Sequence, residues 1–304
     1  MLSLIIHIER LAVNIYPDYN FLITCVKTQH WREAVLNAHR SGRITVVMSS
    51  WHFYEYGNAD SHPETEEVIR FAEELEPKWI LERSELQLRE FIAVWESIWG
   101  GAPFVFNPIC TLAEAGAIQN RVPIERMTRY TIRDHVGAFT NEDALFKIRY
   151  TMDDVKNVAS LHSRQYIADK AFDKVLPLTE IKHVALQLAR LTEVIPDKAY
   201  RLAEKLMQQQ PISTQIQCFV YWQCTELLKA YKAEVAFSLE MCATGAALGV
   251  NRQVDRQHAI PALSCCDVFV TDDNELLNRC GQVKPMLKFE TARVTKGETF
   301  MKSL

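Results

Sequence analysis

No apolar run in this 304-residue chain reaches the roughly 18 uninterrupted positions that a membrane span requires, so no membrane association is expected. The opening MLSLIIHIER meets His7, Glu9 and Arg10 before an apolar stretch of useful length forms, and no small-residue cleavage site follows. Export is therefore not expected, and the cytoplasm is the expected address. The eight cysteines include no C-x-x-C and no Cys/His set with zinc spacing. Their one adjacent pair is Cys265 and Cys266, and reduced, partly buried thiols account for them. The histidines form no H-E-x-x-H pattern. Positive charge is also in deficit: a net charge of −4 argues against indiscriminate attraction to nucleic acid and leaves room only for a local basic groove. No repeat of fixed period and no low-complexity segment interrupts the chain. What is there is an ordinary globular composition, 48% hydrophobic and 24% charged, sufficient for a large core.

The pattern along the chain is strands at both ends with helices between. The run Leu11 to Ile15 predicts a short buried strand that ends in Pro17-Asp18-Tyr19-Asn20. Trp31, Val35, Leu36 and Ala38 give a helical face over Thr28 to Ser41, closed by Ser41-Gly42. Ile44 to Met48 is rich in β-branched residues and predicts a second buried strand. Ser49 and Ser50 then offer N-caps to a helix that bears Glu55. From Pro63 to Met241 the periodicity is mostly helical, with Thr179 to Arg190 and Asp197 to Gln208 spaced as paired antiparallel helices. Trp79, Trp95, Trp99, Tyr221 and Trp222 fit core packing there. The last third predicts a helix over Val254 to Cys265, a strand over Val268 to Thr271, Asp272-Asp273, another helix, and a final strand near Pro285 to Phe289. The expectation is an α/β fold with a small, mainly parallel sheet flanked by helices. Its discontinuous core spans about residues 11–60 and 242–295, around a large α-helical insertion at about 61–241.

In an open parallel sheet, residues just after the strands share one mouth at the carboxyl ends. Asp18, Glu55 and Asp273 satisfy that rule, and Asp255, near the start of the preceding helix, can face the same mouth. Four converging carboxylates repel one another unless cations compensate them. Oxygen donors without Cys or His suit Mg²⁺ or Mn²⁺ rather than zinc. Such ions activate water for in-line displacement at a phosphodiester and stabilise the leaving oxygen.

These blocks resemble the PIN-domain nucleases. Ile15-Tyr16-Pro17-Asp18-Tyr19-Asn20-Phe21-Leu22 is similar to the family's opening, a strand ending in Asp-x-Asn followed by apolar residues. Val46-Val47-Met48-Ser49-Ser50-Trp51-His52-Phe53-Tyr54-Glu55 is similar to its second block, a strand, a Ser-containing turn and a helix with the second acid. Asp255-Arg256-Gln257-His258-Ala259 followed by Val270-Thr271-Asp272-Asp273 resembles the closing block, a helical Asp before a strand ending in Thr-x-Asp. The resemblance covers the first and last sixty or so residues, and the long middle departs from small members of the family. It implies a PIN-like fold and a metal-binding, catalytic quartet of Asp18, Glu55, Asp255 and Asp273, with Asn20 and Thr271 orienting carboxylates or waters. It further implies a Mg²⁺ or Mn²⁺ endonuclease acting on single-stranded RNA. An antitoxin-like protein partner and a homodimer also follow from the comparison.

Simpler roles stand beside each of these. Asp18 and Asn20 can shape a turn, Glu55 can be solvated or salt-bridged, and Asp255 can serve a helix dipole or cap. Asp272 and Asp273 can cap the next helix, and either can be the ligand, with register favouring Asp273. His258, three positions after Asp255, can touch the phosphate or another carboxylate, or be packed and hydrogen-bonded. Asp267 precedes its strand and reads as a strand-entry residue. Arg121, Arg126, Arg129, Arg133, Lys147 and Arg149 form the most basic stretch, a guide for a phosphate backbone or a solvated helix face. Two competing functions follow: a catalytically inactive PIN-like module that binds RNA or a protein, and a metal-dependent phosphatase of small molecules.

Overall fold

The structure, a computed structural model, describes residues 12–58, 63–81, 103–120, 122–138, 228–244, 250–287 and 289–304, with scattered residues between 83 and 97. Strand β1 is Val13–Pro17 and leads directly through Asp18 into α1, Tyr19–Lys27. Helix α2 is Gln29–Arg40. It ends as the Ser-Gly pair predicts: Gly42, at φ 70°, donates its N–H to the His39 carbonyl and Arg43 to that of Ala38. This is the Schellman arrangement, in which a left-handed glycine reverses the chain. The reversal delivers β2, Ile44–Met48, followed by α3, Ser50–Asn58, and α4, Pro63–Glu74.

Two short strands arise where helical periodicity was expected, β3 at Lys78–Ile80 and β4 at Ile109–Cys110. Sheet pairing therefore enters the stretch 61–241, because Trp79, Ile80 and Ile109 supply bulky apolar side chains to a pleated surface. Helices α5, Leu112–Asn120, and α6, Ile132–Ala138, follow. Residues 139–227, including the expected helix pair and Tyr221 and Trp222, lie outside the described residues, as do Trp95 and Trp99. Helix α7, Lys229–Thr244, and α8, Val250–Cys265, lead to β5, Val268–Val270. Helix α9 then runs through Asn274–Leu287, before β6 at Arg293–Thr295 and α10 at Gly297–Met301. The final strand expected near Pro285 to Phe289 is thus corrected. Leu276, Cys280, Val283 and Leu287 recur at helical spacing and are all buried, so packing carries the helix through Pro285.

The six strands are ordered β4-β3-β2-β1-β5-β6, parallel except for the β3–β4 pair. The twofold alternation of a strand sends neighbouring side chains to opposite faces. Ile15, Val46, Met48, Val268 and Val270 pack with Phe21, Leu22, Val35, Trp51 and Phe71 from α1 to α4. Tyr16, Val47 and Phe269 pack with Ala233, Phe237, Ile260, Leu263 and Val283 from α7 to α9. The result is a three-layer α/β architecture. Trp79 is buried as expected, stacked on Phe53 with ring centroids 4.6 Å apart. Asp267 accepts the Asn14 N–H at 2.8 Å, at the amino end of the sheet.

The C-terminal α10 closes tightly on α1 and α2. A Cβ on Gly297 would lie 2.7 Å from Phe21 Cδ2 and 2.9 Å from both Asp272 Oδ2 and Trp31 Cζ3. Gly297→Ala should therefore cost about 1–3 kcal/mol through overpacking. An unchanged denaturant midpoint would show that α10 can shift freely.

Candidate functional site

Strand β1 lies between β2 and β5: the chain builds outward from β1 through β2 and β3 on one side, then adds β5 and β6 on the other, so the strand order reverses there. The crevice outside the carboxyl ends of the strands at such a reversal is where open α/β sheets bind ligands. The first residue out of β1 there is Asp18, and those out of β5 are Thr271, Asp272 and Asp273.

Asp18 is 5% exposed and fixed from three sides. Its N–H donates to the Val270 carbonyl at 2.9 Å, joining the ends of the two strands. Its Oδ1 accepts the Phe21 N–H at 2.7 Å, capping α1, while Oδ2 accepts the Thr271 hydroxyl. Burial nevertheless pushes the carboxyl up to about 8. The bonds from Thr271 and Phe21 oppose that rise, and the charges of Glu55 and Asp272 add to it. Thr271 Oγ1 also accepts the Asp273 N–H at 3.1 Å, and Asp273 Oδ1 caps α9 by accepting the Leu276 N–H at 2.9 Å. One hydroxyl thus stands between Asp18 and Asp273.

Asp255 sits in the second turn of α8. Burial and the neighbouring Asp273 raise its carboxyl to about 7, while Arg279 lowers it. Arg279 Nη1 is 3.9 Å from Asp255 Oδ2, and Arg279 also pairs with Glu240 at 3.3 Å. Glu55 projects from α3, and burial raises its carboxyl to about 7 against the influence of His52. Its Oε2 lies 3.1 Å from His258 Nε2, one turn beyond Asp255. Both atoms are buried and, among the described residues, neither forms an aligned hydrogen bond.

Asp272 faces elsewhere, accepting the Gly297 N–H at 2.9 Å at the start of α10. Asn20 is exposed on the first turn of α1, where its carbonyl accepts the Thr24 hydroxyl. Ser49 does not cap α3 through its side chain; its hydroxyl instead meets that of Tyr16 at 2.6 Å. The basic stretch splits: Arg126 and Arg129 are exposed, Arg133 pairs with Glu66, and Arg121, Lys147 and Arg149 lie outside the described residues.

Sequence reading passed over Tyr16, His52 and Arg279. Tyr16 and His52 were hidden inside apolar blocks, and Arg279 lies 24 positions from the acid it faces, so spacing carries no signal for any of them. Burial drives His52 down to about 4 and His258 down to about 3, so both imidazoles are neutral at physiological pH.

All four acids of the quartet offer hard oxygen donors, and an oxygen that accepts one hydrogen bond keeps a second lone pair. Glu55 Oε2, buried without an aligned partner, is the kind of atom a cation would satisfy. The donor chemistry therefore fits Mg²⁺ or Mn²⁺, although among the described residues no three His, Cys, Asp or Glu side chains converge as ligands of one ion. The described cysteines, Cys25, Cys110, Cys265, Cys266 and Cys280, are unbridged. No helix among the described residues is long and apolar enough to cross a membrane. No protein-family model, curated protein or solved structure matches the chain.

Proposed function

We propose that this chain is a Mg²⁺- or Mn²⁺-dependent endonuclease that hydrolyses phosphodiester bonds in single-stranded RNA. One observation carries the reading: Asp18, Glu55 and Asp255, from three different elements, lie near enough around the strand-order reversal for the Glu55 charge to raise the other two, and burial holds all three carboxyls near or above neutrality. An arrangement that costs this much to ionise gains most from a divalent cation. Asp18, Glu55, Asp255 and Asp273 would hold it. The ion would supply Lewis acidity for the attacking water and the leaving oxygen. The chain's own contribution is orientation. Helix N–H groups fix Asp18 and Asp273, and the Thr271 hydroxyl sets the two relative to each other. RNA as the substrate, and an antitoxin-like protein or a second copy as partner, come from the PIN resemblance. The exposed Arg126 and Arg129 are the described cations of the basic stretch available to a phosphate backbone.

Labelled single-stranded RNA and matching DNA, incubated with protein and Mn²⁺, Mg²⁺ or EDTA, test this directly. Cleavage should need the metal and vanish in Asp255→Asn, with no turnover of a phosphate monoester. Monoester turnover without cleavage would turn the reading into a small-molecule phosphatase. A second reading has its own support, because Asp18 and Asp273 cap helices and would be useful without any metal. Metal-independent RNA binding with no cleavage by wild type would select that inactive binding module.

A further inference from the structure

Beneath the carboxylates lies a polar cluster that the proposed chemistry leaves without a task. Tyr16, His52 and His258 are each at most 2% exposed. The Tyr16 ring stands 5.1 Å from that of His52 and 5.8 Å from that of His258, and the two imidazoles meet edge to face at 4.9 Å. Apolar side chains would fill this space without having polar atoms to satisfy, so the hydrogen bonds indicate what the cluster does.

Their directions can be worked out from the partners. His52 Nε2 is 2.9 Å from the Pro17 carbonyl, which can only accept, so Nε2 carries the proton. His52 Nδ1 is then free to accept the Ser49 N–H at 3.1 Å. The Tyr16 hydroxyl lies 2.6 Å from Ser49 Oγ and 2.7 Å from His258 Nδ1. His258 Nε2 lies 3.1 Å from Glu55 Oε2. A metal-bound, ionised Glu55 can only accept, so in that state Nε2 would carry its proton toward it, across a contact that is close but not aligned as a hydrogen bond in the structure; Nδ1 then accepts from Tyr16, and Tyr16 from Ser49. The donors then run in one sense, from Ser49 through Tyr16 to His258, whose Nε2 faces Glu55. His52 separately ties Ser49 to the peptide immediately before Asp18.

We propose that Ser49, Tyr16, His52 and His258 form a positioning brace for two of the acids: His258 aims Glu55, and His52, through the Pro17 carbonyl, fixes the backbone that carries Asp18. The inference rests on reading those acids as metal ligands. Losing a residue that orients a ligand in this way typically costs about 10–100-fold in metal affinity.

Asparagine and glutamine at position 258 separate the brace from mere packing. The amide nitrogen of Gln reaches where Nε2 sits and can donate to Glu55, whereas that of Asn stops near Nδ1. Mn²⁺ binding, followed by the electron paramagnetic resonance of the free ion, reads the effect without requiring cleavage. His258→Asn should bind Mn²⁺ about 10–100-fold more weakly than wild type. His258→Gln should recover most of that loss, and Tyr16→Phe should fall between. Near-ultraviolet circular dichroism confirms the fold of each variant; should His258→Asn fail to fold, the Tyr16→Phe weakening carries the same expectation. Equal affinity in Asn, Gln and wild type, or equal loss in Asn and Gln, overturns the brace while leaving the metal site standing. Wild type that binds no Mn²⁺, or Asp255→Asn that binds it as tightly as wild type, overturns the metal site and the brace together.

Discussion

Asp18→Asn should make the metal-free protein more stable at pH 8 while removing its metal-dependent cleavage. The Asp18 carboxyl is raised from 3.8 to about 8, chiefly by burial. Between those values the unfolded chain has released a proton that the folded chain still holds, so stability falls as pH rises through the window. The slope is on the order of 1 kcal/mol per pH unit. Asparagine never ionises, and its geometry suits the site: Oδ1 can still accept the Phe21 N–H, and Nδ2 can donate to Thr271 Oγ1. The neutral His52 and His258 give up stability on acidification, but they do so in wild type and variant alike and cancel from the difference. In EDTA the variant should melt several degrees above wild type at pH 8, at about 2–4 °C per kcal/mol. The gap should shrink toward pH 5. Added Mn²⁺ should raise the wild type strongly and the variant little. Cleavage should drop by about a thousandfold, the equivalent of several kcal/mol of lost charge stabilisation. Equal melting of the two proteins at both pH values would mean that Asp18 ionises freely in the fold.

The framework was legible because strand alternation and turn chemistry are local. Ile44–Met48 is the observed β2, the Ser41-Gly42 stop holds, and Asp18, Glu55, Asp255 and Asp273 take the strand-end or helical positions assigned to them. Helix α1 was hidden because Asp18 and Asn20 read equally well as turn formers; the structure shows the Asp18 carboxylate as a cap. Strands β3 and β4 are three and two residues long, too short for a periodicity to declare itself. Pro285 misled because a proline within a helix costs local energy that four buried apolar side chains of α9 repay. Of the brace only His258 was legible, the rest being hidden for a different reason. Tyr16, Ser49, His52 and His258 lie as much as 242 positions apart, and nothing in a pattern of apolar residues distinguishes a buried ring that packs from one that donates.

Glu234→Gln should destabilise the fold by about 3–5 kcal/mol, the cost of stripping the countercharge from a buried ion pair. Glu234 of α7 and Arg256 of α8 are both fully buried. Glu234 Oε1 is 2.6 Å from Arg83 Nη1 and 3.2 Å from Arg256 Nη2, and Oε2 accepts the Gln87 amide. One carboxylate therefore joins Arg83 and Gln87 to α7 and α8. The amide of glutamine keeps the shape and loses the charge that holds two guanidinium groups. The consequence reaches the site, because Arg256 follows Asp255 directly: anchoring one sets the rotation of α8 that presents the other. Glu234→Gln should therefore weaken Mn²⁺ binding as well as lower the denaturant midpoint. Gly297→Ala, which loosens α10 against α1 and α2, serves as the comparison. Should both variants lose stability and Mn²⁺ affinity in the same proportion, general loosening would suffice. A larger affinity loss in Glu234→Gln, measured where both proteins remain folded, ties the buried charge to the placement of Asp255.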